Sequence, residues 1–70
     1  MLVKRSFTIQ GHRTSVALEP EFWAAFDAAV RADGVTPTAW ITRLDEARQT
    51  ALASAVRVEL LRLAGERRDG

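Results

Sequence analysis

The 70-residue sequence predicts one mainly α domain in which a single short strand precedes three helices. Three observations predict it. An alternating apolar run stops at Pro20, two helix-start signals stand at Pro20 and Thr36-Pro37, and three apolar stripes recur at three- and four-residue spacing.

The strand is the run Arg13-Thr14-Ser15-Val16-Ala17-Leu18, with Thr14, Val16 and Leu18 on one face and Arg13, Ser15 and Ala17 on the other. Upstream, Phe7-Thr8-Ile9 also alternates, but its apolar positions are odd-numbered whereas those of the later run are even-numbered. Gly11 lies between them, where a bulge or turn absorbs the change of phase. A hairpin through Gln10-Gly11 and one long kinked strand are both compatible with the pattern.

Pro20 fits the first turn of a helix, and Glu21 complements the positive end of its dipole. Phe22, Trp23, Phe26, Ala29 and Val30 then form an apolar stripe that ends near Asp33, with Gly34 as the left-handed stop. Thr36 is a good N-cap with Pro37 at the first helical position, and Trp40, Ile41, Leu44 and Ala47 make the second stripe. After Gln49-Thr50 a third stripe carries Leu52, Ala55, Val56, Leu60 and Leu63, and Val58 and Leu61 widen it enough to contact two neighbours. Gly65 is the expected stop, and residues 66–70 are expected to fray.

Residues 1–70 thus form one domain, with residues 1–11 expected as a basic N-terminal arm. A chain this short buries only about 60% of the surface its unfolded form exposes. With no cysteine and one histidine, His12, neither a disulfide nor a Cys/His zinc site adds stability, which leaves self-association. Apolar content of 47% with 27% charged residues is globular composition. No apolar run approaches the roughly 18 residues of a membrane span, and no signal-peptide core follows Lys4-Arg5, so a cytoplasmic location is expected.

The net charge of +1 hides a segregation of sign. Residues 1–18 hold Lys4, Arg5 and Arg13 and no acid, residues 19–48 hold six acids against three arginines, and residues 49–70 hold four arginines and three acids. A basic segment on an acidic body meets anionic partners more readily than the average charge implies.

A lone strand leaves its backbone groups unpaired, so either the Phe7–Ile9 run or a second copy of the chain must pair with it. Antiparallel pairing of two copies around a two-fold axis merges two small cores. It also repeats Arg13, Ser15 and Ala17 on a two-stranded ribbon of the width that enters a DNA major groove. The runs from His12 to Trp23 and from Gly34 to Ile41 resemble a ribbon-helix-helix DNA-binding domain. Lys4-Arg5-Ser6 with Ile9, Gly11 to Ser15, and Leu52 to Arg57 are similar to a short, stand-alone bacterial subgroup. The resemblance covers residues 4–63. It implies a cytoplasmic homodimer that binds double-stranded DNA and regulates transcription, with the ribbon formed across the dimer and an extra C-terminal helix.

The resemblance places Arg13, Ser15 and Ala17 in the major groove, where arginine pairs with guanine, serine donates or accepts, and alanine touches a thymine methyl. Family members usually carry a longer polar residue where Ala17 stands, which weakens direct readout. Thr36 to Ala39 take the place of the phosphate-clamping helix N-terminus. Since Pro37 has no N–H, Thr38 and the Ala39 amide are left to hold the phosphate. Lys4 and Arg5 are expected to add arm contacts to phosphates.

Taken alone, an outward arginine on a strand is usually a solubilising residue, Thr36 is a helix cap under any reading, and Trp23 and Trp40 are core or interface aromatics. No cofactor is implied. Catalysis is not expected, because no serine stands beside a recognisable base and no metal-ligand spacing or Gly-rich phosphate loop occurs. Two other readings compete: an antitoxin-like or adaptor dimer that binds a protein partner through the third helix, and a monomeric helical domain with a Phe7-to-Leu18 hairpin.

Overall fold

The computed structural model describes the backbone of residues 1–69 and the side chains of residues 1–66. Two strands, β1 (Val3–Ile9) and β2 (His12–Leu18), precede three helices, α1 (Pro20–Asp33), α2 (Pro37–Ala47) and α3 (Leu52–Asp69).

The strands form an antiparallel hairpin whose register pairs Ile9 with His12, Phe7 with Thr14, Arg5 with Val16 and Val3 with Leu18. Gln10 and Gly11 make the two-residue turn with φ of 52° and 81°. Positive φ at both positions matches the right-handed twist of the strands, and a glycine adopts it without steric penalty. A two-residue loop also pairs each odd position upstream with an even one downstream. The change of phase between Phe7-Ile9 and Val16-Leu18 is therefore what a hairpin demands, and no bulge is involved. Two expectations are corrected here. The strand through Val16 pairs along one edge with β1 of its own chain, and most of the segment expected as a basic arm at residues 1–11 is strand β1.

Pro20 opens α1, and Gly34 closes it in the left-handed region at φ 69°, its N–H reaching the carbonyls of Val30 and Arg31. Thr36 caps α2, its hydroxyl accepting the Ala39 N–H at 3.1 Å. Gly65 does not stop α3, which runs to Asp69, so residues 66–69, expected to fray, continue the helix, and Gly70 lies outside the described residues. A glycine inside a helix weakens it by only about 1 kcal/mol relative to alanine, and here nothing crowds it.

The core lies between the hairpin and the three helices. Phe7, Ile9, Val16 and Leu18 come from the sheet, Trp23, Phe26, Ala29 and Val30 from α1, Trp40 and Ile41 from α2, and Leu52, Val56 and Leu60 from α3. Phe26 is its centre. Its ring meets Trp23 and Trp40 edge-on with centroids 5.2 Å away, and Phe7 at 6.0 Å. Helix α3 touches both α1 and α2, but through its buried stripe; Val58 and Leu61, expected to widen that contact, are exposed.

Candidate nucleic-acid interface

The register sorts the hairpin's side chains. Arg5, Phe7 and Ile9 of β1 share the inner face with Thr14, Val16 and Leu18 of β2. Lys4, Ser6 and Thr8 share the outer face with Arg13, Ser15 and Ala17. All six outer residues are exposed except Ala17, which is half-buried. Lys4 stands opposite Ala17, Ser6 opposite Ser15 with their hydroxyls 3.2 Å apart, and Thr8 opposite Arg13. The sequence reading overlooked Ser6 and Thr8. The signal was the odd-numbered apolar phase of Phe7-Ile9, which puts even-numbered neighbours on the other side of the strand.

The cations of the two strands divide between the same two faces. Arg5, expected to reach phosphate, turns inward: its guanidinium bonds both oxygens of Asp27, at 2.9 and 3.3 Å, and lies 4.6 Å from the Trp23 ring centroid. Arg43, Arg48, Arg57 and Arg62 are ion-paired as well. Among the described residues, Lys4, Arg13 and Arg31 have no acidic partner; Lys4 and Arg13 belong to the outer face of the hairpin, and Arg31 is exposed in the last turn of α1.

The N-terminus of α2 offers fewer donors than expected. Ala39 already gives its N–H to Thr36 and Pro37 has none, so the Thr38 N–H is what remains for an anion in this first turn. The Thr38 hydroxyl is exposed beside it.

A hairpin has two outer edges. Ile9 and His12 flank a two-residue turn and so exchange hydrogen bonds, which means that Arg13, Ser15 and Ala17 direct their backbone groups away from β1. The Ala17 carbonyl receives a long 3.5 Å contact from Arg57 of α3. For Arg13 and Ser15, no backbone partner occurs on that edge among the described residues. Arg57 also pairs with Glu19 at 3.1 Å, at the junction of β2 and α1. A hydrogen bond from the backbone N–H of Glu19, joined by Arg57 and opposed by desolvation, holds this carboxyl below its usual 4.5.

A basic, hydroxyl-bearing strand face, followed by two helices with a capped turn between them, is the arrangement of a known family. The ribbon-helix-helix domain matches residues 2–64. The chain belongs to that family. No curated protein and no solved structure matches it. Family membership points to a DNA-binding, non-enzymatic module. No helix among the described residues is long and apolar enough to cross a membrane. The matched region takes in β1, which makes the strand part of this chain a hairpin, and most of α3, which completes the core.

Proposed function

We propose that this chain is a DNA-binding transcriptional regulator of the bacterial cytoplasm. It acts as a homodimer in which the open edges of two β2 strands pair antiparallel around a two-fold axis. The observation that carries the reading is the pair of unpartnered cations, Lys4 and Arg13, on the one polar face of the hairpin, while five other arginines are tied into ion pairs and Arg31, also unpaired, stands apart at the end of α1. In the dimer the two β2 strands are the ribbon that enters the major groove. Arg13 pairs with guanine, Ser15 donates or accepts, and Ala17 meets a thymine methyl. Thr38, seated by the Thr36 cap and beside Ala39, takes a phosphate, and so does Lys4. Arg5 has no part in DNA contact, because Asp27 and Trp23 occupy it.

Fluorescence anisotropy on a duplex recovered from a random library tests this. Affinity is expected to fall steeply with salt. Arg13→Ala is expected to weaken the selected duplex by roughly 1–3 kcal/mol per half-site and a scrambled duplex by less. Sedimentation equilibrium should give a dimer at micromolar concentration. Salt-insensitive binding, or no binding to any duplex, ends the proposal.

A second reading rests on Val58 and Leu61, which are 66% and 72% exposed on α3. In that reading the dimer is an antitoxin-like or adaptor module, and α3 binds a protein partner. Stoichiometric co-purification of one partner, lost in the Leu61→Glu variant, favours it over DNA regulation.

A further inference from the structure

The register of the hairpin puts two residues that the family resemblance does not assign, Ser6 and Thr8, in one row with Lys4 beside the groove-reading strand. We infer that β1 is a phosphate rail: Lys4, Ser6 and Thr8 of each copy contact the DNA backbone on one wall of the groove, while β2 alone reads bases. The inference rests on the DNA-binding dimer proposed above.

The major groove admits two strands but not four. Strands in a sheet lie about 4.8 Å apart, and a two-stranded ribbon fits a major groove about 12 Å wide. When two β2 strands pair, β1 of each copy becomes an outer strand, and the two outer axes stand about 14 Å apart. The outer strands are then too far apart to enter with the central pair. They come to rest over the two walls, which are phosphate.

The two strands also differ in chemistry. Arg13 is the only guanidinium on the outer face, and it is on β2. The outer face of β1 carries an ammonium and two hydroxyls, compact donors that suit phosphate oxygens, and none of the planar forks of Arg, Asn or Gln. The backbone of β1 adds donors of its own. Lys4, Ser6 and Thr8 are the β1 residues whose N–H groups point away from β2, and no backbone partner for them occurs among the described residues. Main-chain N–H groups are common phosphate donors. Side chains on one face of a strand recur about every 6.8 Å, so the three residues form a row about 14 Å long. Lys4 also stands opposite Ala17, so the small residue on β2 and the long cation on β1 form one cross-strand pair.

The test uses the full chain as wild type and as Lys4→Gln, Thr8→Val and Arg13→Ala. Thermal melts first establish that each variant is folded. Anisotropy titrations follow, at several salt concentrations, on the library-selected duplex and on a scrambled duplex of the same length. Lys4→Gln is expected to weaken both duplexes by the same factor. It should also flatten the slope of log affinity against log salt by about 0.9 per lost phosphate contact, or close to 2 for a dimer. Thr8→Val should weaken both duplexes equally with an unchanged slope, whereas Arg13→Ala should shrink the ratio between the duplexes. Should Lys4→Gln or Thr8→Val shrink that ratio, β1 lies inside the groove and the rail is wrong. An unchanged slope in Lys4→Gln also rules it out. Failure of the wild type to bind either duplex removes the DNA-binding reading itself, an outcome distinct from both.

Discussion

Arg5 and Arg13 are both cations of one short hairpin, yet they meet opposite surroundings. Arg5 faces inward, where Asp27 takes both prongs of its guanidinium and Trp23 lies beneath it. Arg13 faces outward beside hydroxyls, with no acidic partner among the described residues. The residue type is the same, and the pleat of the sheet decides the difference. Strand position parity, fixed by the two-residue turn, separates an arginine that holds the fold from one that is free to meet an anion.

The largest effect that tests this contrast is on the inner side. Phe26→Ala removes the ring on which Phe7, Trp23 and Trp40 converge. It is expected to cost about 3–5 kcal/mol in urea unfolding, a large share of a small domain's stability. A loss under about 1 kcal/mol would mean that the inner face is not packed as described.

Next comes the turn that sets the parity. Gly11→Val forces a β-branched residue to φ 81° and is expected to cost about 1–2 kcal/mol. Amide exchange should quicken along β1 and β2 more than in α2. Full retention of stability would argue against the Gln10-Gly11 turn.

Arg5→Gln sharpens the comparison most directly. Its ion pair is partly exposed and its stacking on Trp23 adds a modest amount, so a loss of about 0.5–1 kcal/mol is expected, read by urea midpoint. DNA affinity should be unchanged once folding is allowed for. A drop in affinity as large as that of Arg13→Ala would erase the distinction between the two arginines.

The smallest effect is a pH dependence at the end of β2. Because the folded state holds the Glu19 carboxyl below 4.5, its contribution is present above that value and lost as pH falls through the lowered one. Glu19→Gln should therefore be slightly less stable than wild type at pH 7, and the gap should close in acid. Thermal melts at pH 7 and pH 3 measure it, and a gap that widens in acid contradicts the assignment.

The helices were legible because each carries its own punctuation: Pro20 and Gly34 around α1, Thr36-Pro37 before α2, and apolar stripes of helical period. The strand through Val16 was legible by alternation. Its partner was not, since three alternating residues fit a hairpin or a kinked strand equally well until Gln10 is seen at positive φ. Lys4 and Arg5 are adjacent in sequence and read as one basic patch, although consecutive residues on a strand point to opposite faces. Thr36 was recognised as a cap, but that cap also consumes the Ala39 amide assigned to phosphate. Gly65 was read as a stop because local propensity favours one there, and the helix continues through it.

Leu52, Val56 and Leu60 are the last contributors to the buried core along the chain, and Arg57 among them reaches back 38 positions to Glu19. On a ribosome, the hairpin emerges before these residues. A two-stranded hairpin alone is marginal in water. Until α3 has been released and has packed, the strands therefore hold no lasting outer face on which Lys4 and Arg13 keep a fixed spacing.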